Sequence, residues 1–305
     1  MKRLRNLIIK AAVAAVLACF AWQGDAISAT VTDQAGRQLI VPDDPKRVIS
    51  LAPSITEIIY DLGQERKLKG VTQYSDYPAA AKALPRVGSY VRLDLEKIVA
   101  LQPDLCLAVK DGNPRHIVEK IMDMGIPVYA IDPRNLAQTM DSITRIGTLL
   151  QAEDRAHELV NELENRILRV RSQVEKATEQ PRVFFQIDLN PIVSAGNNTL
   201  IQELIELAGG INTTAGKDPY PRFSWEDILV LQPDIVIISA MAGGLSDRQL
   251  MEIWQKWEQL AAVKNDRVFV VDAGLFDRPT ARLVAGLETL AEIIHPDLFH
   301  AGVKK

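Results

Sequence analysis

The strongest constraint on the fold is an internal repeat, because two stretches of the chain carry the same pattern at a constant offset. Residues 95–107 and 225–237 each contain a segment with helical spacing, the tripeptide Gln-Pro-Asp and a short apolar run. Proline disfavours helix in the residue before it, so each stretch predicts a helix, a turn that ends it and a buried strand. The residues that recur are Glu96, Leu101, Gln102, Pro103 and Asp104 in the first copy and Glu226, Leu231, Gln232, Pro233 and Asp234 in the second.

Further strands pair between the two halves of the chain. Residues 47–51 correspond to 182–186, and residues 127–132 correspond to 267–272. Short apolar strands that alternate with helices are typical of parallel sheets covered by helices. We therefore predict an α/β fold of two Rossmann-like lobes with parallel sheets flanked by helices and a ligand cleft between the lobes.

The segment between the two copies has a different pattern. Residues 136–178 contain no proline and a single glycine, and apolar side chains recur every three or four residues from Leu159 to Val174. This spacing predicts a long amphipathic helix over 154–178. Such a helix is either a surface helix of one lobe or a strut joining both, and its place between the copies favours the strut. The predicted divisions are an amino-terminal lobe over 30–135 that begins with a small hairpin, a linker helix region over 136–179, and a carboxyl-terminal lobe over 180–305.

The first 29 residues are typical of a signal peptide. Lys2, Arg3 and Arg5 form a basic start, and residues 7–20 are apolar apart from Lys10. That apolar run is ~14 residues long, whereas a bilayer-spanning helix needs about 20. Two ends of the peptide are possible: cleavage before Cys19, whose thiol would then carry a lipid, or cleavage near Ala26–Ala29. Either end predicts an extracytoplasmic, periplasmic protein.

Composition excludes several classes of function. A net charge of -4 argues against nucleic-acid binding, and two cysteines supply neither a disulfide framework nor a four-ligand zinc site. Cys106 lies in an apolar run and is predicted to be a core residue. None of the four histidines lies four residues from another, and no glycine-rich dinucleotide motif or nucleophile elbow is present. We therefore expect no catalytic residue, no metal ligand and no cofactor, which favours binding over catalysis.

Several of the few aromatic residues fall in loops after predicted strands. Ligands of open parallel sheets lie at the carboxyl ends of the strands. Rigid rings at that edge suit a large, flat ligand, although each ring could instead anchor its own loop. The aromatic residues in question are Tyr74, Tyr77, Tyr90, Tyr220 and Phe276.

Most of the chain after the leader resembles the substrate-binding proteins of ABC importers for cobalamin, haem and iron siderophores, and the cobalamin-binding members above all. The resemblance rests on residues 47–57, 74–78, 95–105 and 190–196, and on Phe276-Asp277-Arg278 with Arg282. It implies two lobes joined by one long helix, a small closure movement and a monomer that binds a permease dimer with its ATPase subunits. It also implies that Glu96 and Glu226 dock into arginine-lined pockets of that permease. Both glutamates equally suit the amino-terminal turn of a helix, whose dipole favours a negative charge.

The same resemblance implies which residues contact the ligand. Tyr74, Tyr90 and Tyr220 correspond to aromatic contacts of the cobalamin binders, and Phe276, Asp277 and Arg278 lie in their last cleft loop. The expected ligand is cobalamin or a related corrinoid. Val109 stands where an aromatic residue is expected, and Arg92, Arg222 and Arg278 suit an anionic chelate, so haem and ferric siderophores remain alternatives. An exported two-lobed enzyme with a metal is a more distant alternative, opposed by the lack of Cys and His clusters.

Overall fold

The computed structural model describes residues 28–239 and 244–299. Cys19 and most of the predicted leader lie outside these residues. The described chain opens with an antiparallel hairpin of β1 (Ser28–Thr32) and β2 (Gln38–Pro42), which confirms the predicted hairpin. The buried Asp33 carboxylate closes the turn, because it accepts hydrogen bonds from the backbone amides of Ala35 and Arg37.

The amino-terminal lobe is built on a four-stranded parallel sheet in the order β4-β3-β7-β8. Helices lie on both faces, and each face has its own apolar core. The elements are β3 (Val48–Ser50), α1 (Pro53–Asp61), β4 (Leu68–Gly70), β5 (Gly88–Ser89), β6 (Arg92–Leu93), α2 (Leu95–Ala100), β7 (Leu105–Val109), α3 (Arg115–Asp123) and β8 (Val128–Ile131). Cys106 is buried among core residues, as predicted.

Two helices connect the lobes, α4 (Leu136–Leu149) and the 22-residue α5 (Glu153–Val174). They are separated at Gln151, whose φ of +57° a helix cannot continue. On α5, Leu163 packs in the core of the amino-terminal lobe, Val170 packs in the core of the carboxyl-terminal lobe, and Ile167 contacts both. The helix is therefore a strut between the lobes and not a surface helix of one of them.

The carboxyl-terminal lobe has a mixed sheet in the order β12-β10-β9-β13-β14, with β11 also pairing with β9. Strands β10 and β12 run antiparallel to their neighbours, and the other pairs are parallel. The elements are β9 (Arg182–Leu189), β10 (Ile192–Ser194), α6 (Leu200–Leu207), β11 (Ile211–Asn212), β12 (Arg222–Phe223), α7 (Trp225–Leu231), β13 (Ile235–Ser239), α8 (Asp247–Gln255), α9 (Ala261–Lys264), β14 (Val268–Val271), α10 (Arg282–Ile294) and α11 (Pro296–Phe299).

The lobes share more than α5. Leu136 at the start of α4 lies in the carboxyl-terminal core, whereas Ile143 of the same helix lies in the amino-terminal core. Val284 of α10 likewise reaches the amino-terminal core. A two-pronged ion pair joins α5 to α10, with Arg166 donating to both carboxylate oxygens of Glu288 at 2.9 and 2.6 Å. Three helices thus bind the lobes together, which favours small movements over a wide opening.

The repeat folds as the sequence predicts, and its first copy shows why those residue types recur. Gln102 ends α2 with a φ of +46°, since the following proline excludes helix there. The Asp104 carboxylate accepts a hydrogen bond from the backbone amide of Arg47 at 2.9 Å. The Arg47 guanidinium in turn donates to the carbonyl oxygens of Leu101 and Gln102, at 2.6 and 2.8 Å. The unit thereby ties the end of α2 to the start of β3.

The second copy repeats this arrangement with fewer contacts. Gln232 ends α7 with a φ of +43°, and Asp234 accepts a hydrogen bond from the backbone amide of Arg182 at 2.8 Å. The Arg182 guanidinium donates to the carbonyl oxygen of Leu231 at 2.9 Å. Both copies therefore fix the turn at the amino-terminal edge of their sheets. No helix within the described residues is long and apolar enough to cross a membrane.

Candidate ligand-binding site

A cavity of about 980 Å³ lies between the lobes. One wall comes from the carboxyl ends of β7 and β8 and the residues after them, and the other from the carboxyl-terminal lobe. This is the edge where parallel strands present ligands, and the volume lies near the upper end of the ~300–1,000 Å³ usual for ligand pockets. The residues used below are Val109, Asp111, Gly112, Asp132 and Arg134 on the first wall, and Ile187, Tyr220, Phe276 and Asp277 on the second.

A second cavity of about 390 Å³ continues the same interlobe junction. Asp277 lines both cavities, so the two belong to one cleft. On the amino-terminal side the second cavity is lined by Asp76 and Tyr77, and on the other side by Asp272, Arg278 and Arg282 among others.

The predicted tyrosines lie around this cleft. Tyr220 lines the large cavity with 64% of its surface exposed. The exposed Tyr90 ring lies over Gly112 in the opposite wall, where an added Cβ would come within 3.4 Å of the ring. Tyr74 is also exposed, and its carbonyl oxygen faces Arg278. The structure thus leaves these three rings accessible beside the cleft, and their role in binding stays a prediction.

Phe276 is placed differently from the tyrosines. It is only 1% exposed, and its ring packs edge-on against Phe185 with the ring centroids 5.3 Å apart. The short 3-10 helix Ala273–Leu275 turns the side chain into the carboxyl-terminal core. Phe276 therefore belongs to the floor of the large cavity and does not project into it.

Arg278, predicted as a ligand contact, reaches across to the other lobe. Its Nη1 donates to Glu57 Oε1 at 2.8 Å and to Asp76 Oδ1 at 3.1 Å. Its Nη2 donates to the carbonyl oxygen of Tyr74 at 3.2 Å. The guanidinium is therefore occupied by acceptors of the amino-terminal lobe in this structure.

Arg282 lies beside Arg278 and is engaged in the same way. Its Nη2 lies 3.0 Å from Asp272 Oδ2, and its Nη1 lies 3.9 Å from Glu57 Oε2. The guanidinium also stacks 4.1 Å above the ring of Tyr77. Burial raises the pKa of the Glu57 carboxyl, and the hydrogen bond and charge of Arg278 oppose this shift.

The third arginine of the cleft, Arg134, is also paired with carboxylates. Its Nε lies 2.8 Å from Asp132 Oδ1, and it also pairs with Asp111. Lys110 forms a further ion pair with Asp132 at 3.0 Å. Each cleft arginine is thus paired with two carboxylates. As a result, none of the three presents an uncompensated positive charge to a ligand.

Asp277 is a carboxylate with unused bonding capacity. Its buried Oδ2 accepts no hydrogen bond from the described residues. Burial raises the pKa of this carboxyl to about 6, and the charge of Arg278 opposes the shift. Because Asp277 opens onto both cavities, it can accept a hydrogen bond from a ligand amide or hydroxyl group.

Several charged residues of this cleft were not predicted from the sequence. Glu57, Asp111, Asp132 and Arg134 were not singled out, although the last three follow β7 or β8, the position that marks a ligand edge. Glu57 had no such signal because it lies within α1.

The other predicted cations lie elsewhere. Arg92 and Arg222 are exposed and line neither of the two interlobe cavities. Arg222 instead lines an open surface pocket with Lys217 and Asp227. Within the described residues, no cluster of three His, Cys, Asp or Glu side chains could hold a metal ion.

The two predicted docking glutamates occupy equivalent positions. Glu96 is the second residue of α2 and Glu226 the second residue of α7, and both are exposed. The helix caps are made by other side chains, since Asp94 accepts from the amide of Lys97, and Ser224 forms a reciprocal capping box. Neither glutamate forms a salt bridge with a described residue, so both carboxylates are free for a partner.

A family model described as periplasmic binding protein matches residues 48–275. A vitamin B12-binding protein of Vibrio cholerae is 34% identical over 255 residues, which cover 82% of this chain and 89% of the relative. A substrate-binding lipoprotein of an ABC transporter from Bacillus subtilis, described as uncharacterized, is 30% identical and covers 88% of this chain and 86% of its own length.

Solved structures agree with these relatives. The structure of a periplasmic vitamin B12-binding protein of Vibrio cholerae superposes with a TM-score of 0.74 at 30% identity, covering 86% of this chain and 100% of that one. A periplasmic heme-binding protein of Pseudomonas aeruginosa gives 0.75 at 26% identity, covering 83% and 93%. The two scores are nearly equal, so backbone similarity does not separate these two ligand classes.

Proposed function

This chain belongs to the periplasmic binding protein family, and on that premise we propose that it captures a corrinoid between its lobes and delivers it to an ABC permease. Membership of this family makes it a substrate-binding protein of an ABC importer, with a small-molecule ligand and a permease and ATPase as partners. The family consists of binding proteins, which confirms the prediction that the chain is not an enzyme.

One observation carries the choice of ligand: the cleft is acidic and its arginines are already neutralised. Five carboxylates and three guanidiniums line the two cavities, and each guanidinium is paired with two carboxylates. Haem carries two carboxylates and most ferric siderophores are anionic, so both would be repelled. A corrinoid is edged with neutral amides, whose N–H groups can donate to carboxylates such as Asp277.

The size and lining of the cleft support the same choice. The large cavity alone has a volume of about 980 Å³, and the smaller one extends it. Exposed tyrosine rings on both sides, Tyr90 and Tyr220, offer flat apolar surfaces to a macrocycle. The relatives described as vitamin B12-binding proteins add support from similarity.

Haem is the alternative ligand, supported by the superposition on the heme-binding protein of Pseudomonas aeruginosa. Haem binding requires that its propionates replace the carboxylates now paired with Arg278 and Arg282. Because those ion pairs are already formed, this exchange lowers the net gain from binding.

We further propose that Glu96 and Glu226 dock on the permease, and that the mature protein is held outside the cytoplasm by a lipid on Cys19. The free, matched carboxylates on the two lobes support the first point. The Bacillus subtilis lipoprotein supports the second, because it is a relative described as lipid-anchored.

The deciding experiment is a pair of titrations of the purified mature chain, followed by calorimetry and by co-elution in gel filtration. We expect cyanocobalamin to co-elute in a one-to-one complex and to bind at least about tenfold more tightly than haemin, a difference of 1.4 kcal/mol. Absence of heat and co-elution with cyanocobalamin would refute the corrinoid proposal. Tight binding of haemin in the same experiment would establish the alternative.

A further inference from the structure

The carboxylate of Glu57 is buried at the junction of the lobes and faces two arginines of the opposite lobe. It lies 2.8 Å from Arg278 Nη1 and 3.9 Å from Arg282 Nη1, and its side chain is 1% exposed. These are the two arginines of the smaller cavity. A single carboxylate from the amino-terminal lobe thus serves both cations of the carboxyl-terminal wall.

The helix that carries Glu57 holds it in place. Its neighbours on α1, including Ile55, Ile58 and Ile59, are fully buried in the amino-terminal core. Glu57 Oε2 accepts no hydrogen bond from the described residues, so the pair is held by charge on that side. A buried carboxylate that cannot rotate into solvent interacts with its cations through a medium of low dielectric constant.

The other partners of the two arginines are weaker. Asp76 is 60% exposed and Asp272 is 64% exposed, and ion pairs that face solvent contribute little to stability. Without the Glu57 charge, each guanidinium would keep only an exposed carboxylate as its ion-pair partner, and Arg278 would also keep the Tyr74 carbonyl oxygen. It could then turn toward a ligand in the cleft at small cost.

We propose that Glu57 determines the class of ligand that the cleft accepts, because its buried carboxylate holds Arg278 and Arg282 and withholds them from ligands that carry carboxylates. Glu57 is a specificity-determining residue that need not touch the ligand. The inference rests on the proposed function only in taking the interlobe cleft as the binding site.

The test measures the ratio of haemin affinity to cyanocobalamin affinity in the full mature chain and in Glu57→Gln, which keeps the shape of the side chain and removes its charge. We expect the ratio to rise about tenfold, since one charge-assisted contact with a propionate becomes available. In Glu57→Gln/Arg278→Gln/Arg282→Gln the gain should be lost, because both released cations are gone. Glu119→Gln, which removes an exposed glutamate paired with Arg115 on α3, is the matched control and should leave the ratio as it is.

Folding is checked by circular dichroism and thermal unfolding. If Glu57→Gln does not fold, Asp76→Asn/Asp272→Asn takes its place. This double variant alters only exposed partners, and we expect a ratio within about twofold of wild type, because the Glu57 carboxylate still holds both arginines.

Three results would overturn the proposal: a folded Glu57→Gln with an unchanged ratio, a gain that survives removal of both arginines, or a gain of about tenfold in the double aspartate variant. Failure of the wild-type chain to bind cyanocobalamin would overturn the proposed function instead. The haemin titrations of wild type and variants would still test Glu57 in that case.

Discussion

The two copies of the repeat are alike at one edge of their sheets and differ at the other. At the amino-terminal edge, Arg47 with Asp104 and Arg182 with Asp234 make the same contacts between helix end and strand start. At the carboxyl edge the amino-terminal lobe has only the two-residue strands β5 and β6, whereas the carboxyl-terminal lobe adds the antiparallel strands β10 and β12. The edge that stays alike connects helix ends to strand starts, and the edge that differs faces the interlobe cleft.

The helices of the repeat connect these two edges. Because α2 and α7 run antiparallel to the strands that follow them, their amino-terminal ends lie at the cleft edge. Glu96 and Glu226 stand there in matching positions although the surrounding loops differ. Each lobe therefore combines a glutamate at a shared position with its own wall of the cleft.

The largest expected effect is a loss of uptake, which tests whether the two lobes contribute equally to docking. We expect Glu96→Arg/Glu226→Arg to reduce uptake of labelled cyanocobalamin to background, since two reversed charges would face arginines of the permease. Each single reversal should reduce uptake to a similar extent if the lobes are equivalent. Ligand affinity, measured by calorimetry, is the second readout and should stay within about twofold because neither residue lines the cleft.

The matched control reverses two exposed glutamates of the strut helix and its end, in Glu164→Arg/Glu175→Arg. Uptake by the control should equal that of wild type. Normal uptake by the double docking variant would refute the docking role of both glutamates.

The next prediction distinguishes the roles of two aromatic residues that line the same cavity, Phe276 and Tyr220. Phe276→Ala should lower the free energy of unfolding by about 3–5 kcal/mol, because it empties a buried site packed against Phe185. Tyr220→Ala removes an exposed ring and should change stability by less than about 0.5 kcal/mol while weakening cyanocobalamin binding. Urea unfolding and calorimetry measure the two quantities. A stable Phe276→Ala would contradict the placement of that ring in the core.

A smaller difference is expected between the arginines of the two repeat copies. Arg47 donates two side-chain hydrogen bonds to the end of α2, and Arg182 donates one to the end of α7. With about 1 kcal/mol for each bond, Arg47→Ala should destabilise the protein by about 2 kcal/mol and Arg182→Ala by about 1 kcal/mol. Urea unfolding of both variants gives the comparison. Equal losses would mean that the extra bond of the first copy contributes nothing.

The smallest effect is a pH dependence contributed by one carboxyl group in each lobe. Burial raises the pKa of Asp61 and of Asp277 to about 6, and the nearby Glu57 carboxylate adds to the shift of Asp61. Both groups bind protons more tightly when folded, so stability falls as the pH rises from about 4 to 6. A pKa raised from 3.8 to about 6 corresponds to about 3 kcal/mol, and solvent screening reduces this because both side chains are only partly buried. Asp61→Asn and Asp277→Asn should therefore each be about 1 kcal/mol more stable than wild type at pH 7, with the difference vanishing below about pH 4.

Urea unfolding at several pH values between 3.5 and 7.5 measures this difference. Asn165→Ala, an uncharged change at an exposed position on α5, is the control and should show a difference that does not change with pH. A constant difference for Asp61→Asn or Asp277→Asn would show that the group does not titrate as proposed.

The sequence predicted the framework of the molecule well because local chemistry determines it. Gln-Pro-Asp ends a helix wherever it occurs, and the spacing of Leu159, Leu163 and Val170 requires one apolar face. The helix predicted over 154–178 is found over Glu153–Val174. Its end differs by four residues because helices fray where tertiary contacts stop.

The cleft was harder to predict because it depends on contacts between distant parts of the chain. Phe276 and Tyr220 look alike in sequence, since both are aromatic residues in loops, yet one is buried and the other exposed. The pairing of Glu57 with Arg278 joins residues more than two hundred positions apart. Such a pair becomes visible only after the two lobes are placed side by side.

The three helices that join the lobes also determine when, during synthesis, the amino-terminal lobe can complete its core. The core of the amino-terminal lobe includes Val284 of α10, which is fully buried there. A ribosome therefore finishes almost the whole chain before the first lobe has all the residues that it packs. A chain cut after the strut would leave apolar surfaces of α4 and α5 exposed in its first part and would remove Leu136 and Val170 from the core of its second part. We therefore expect that neither lobe can be exchanged alone between proteins.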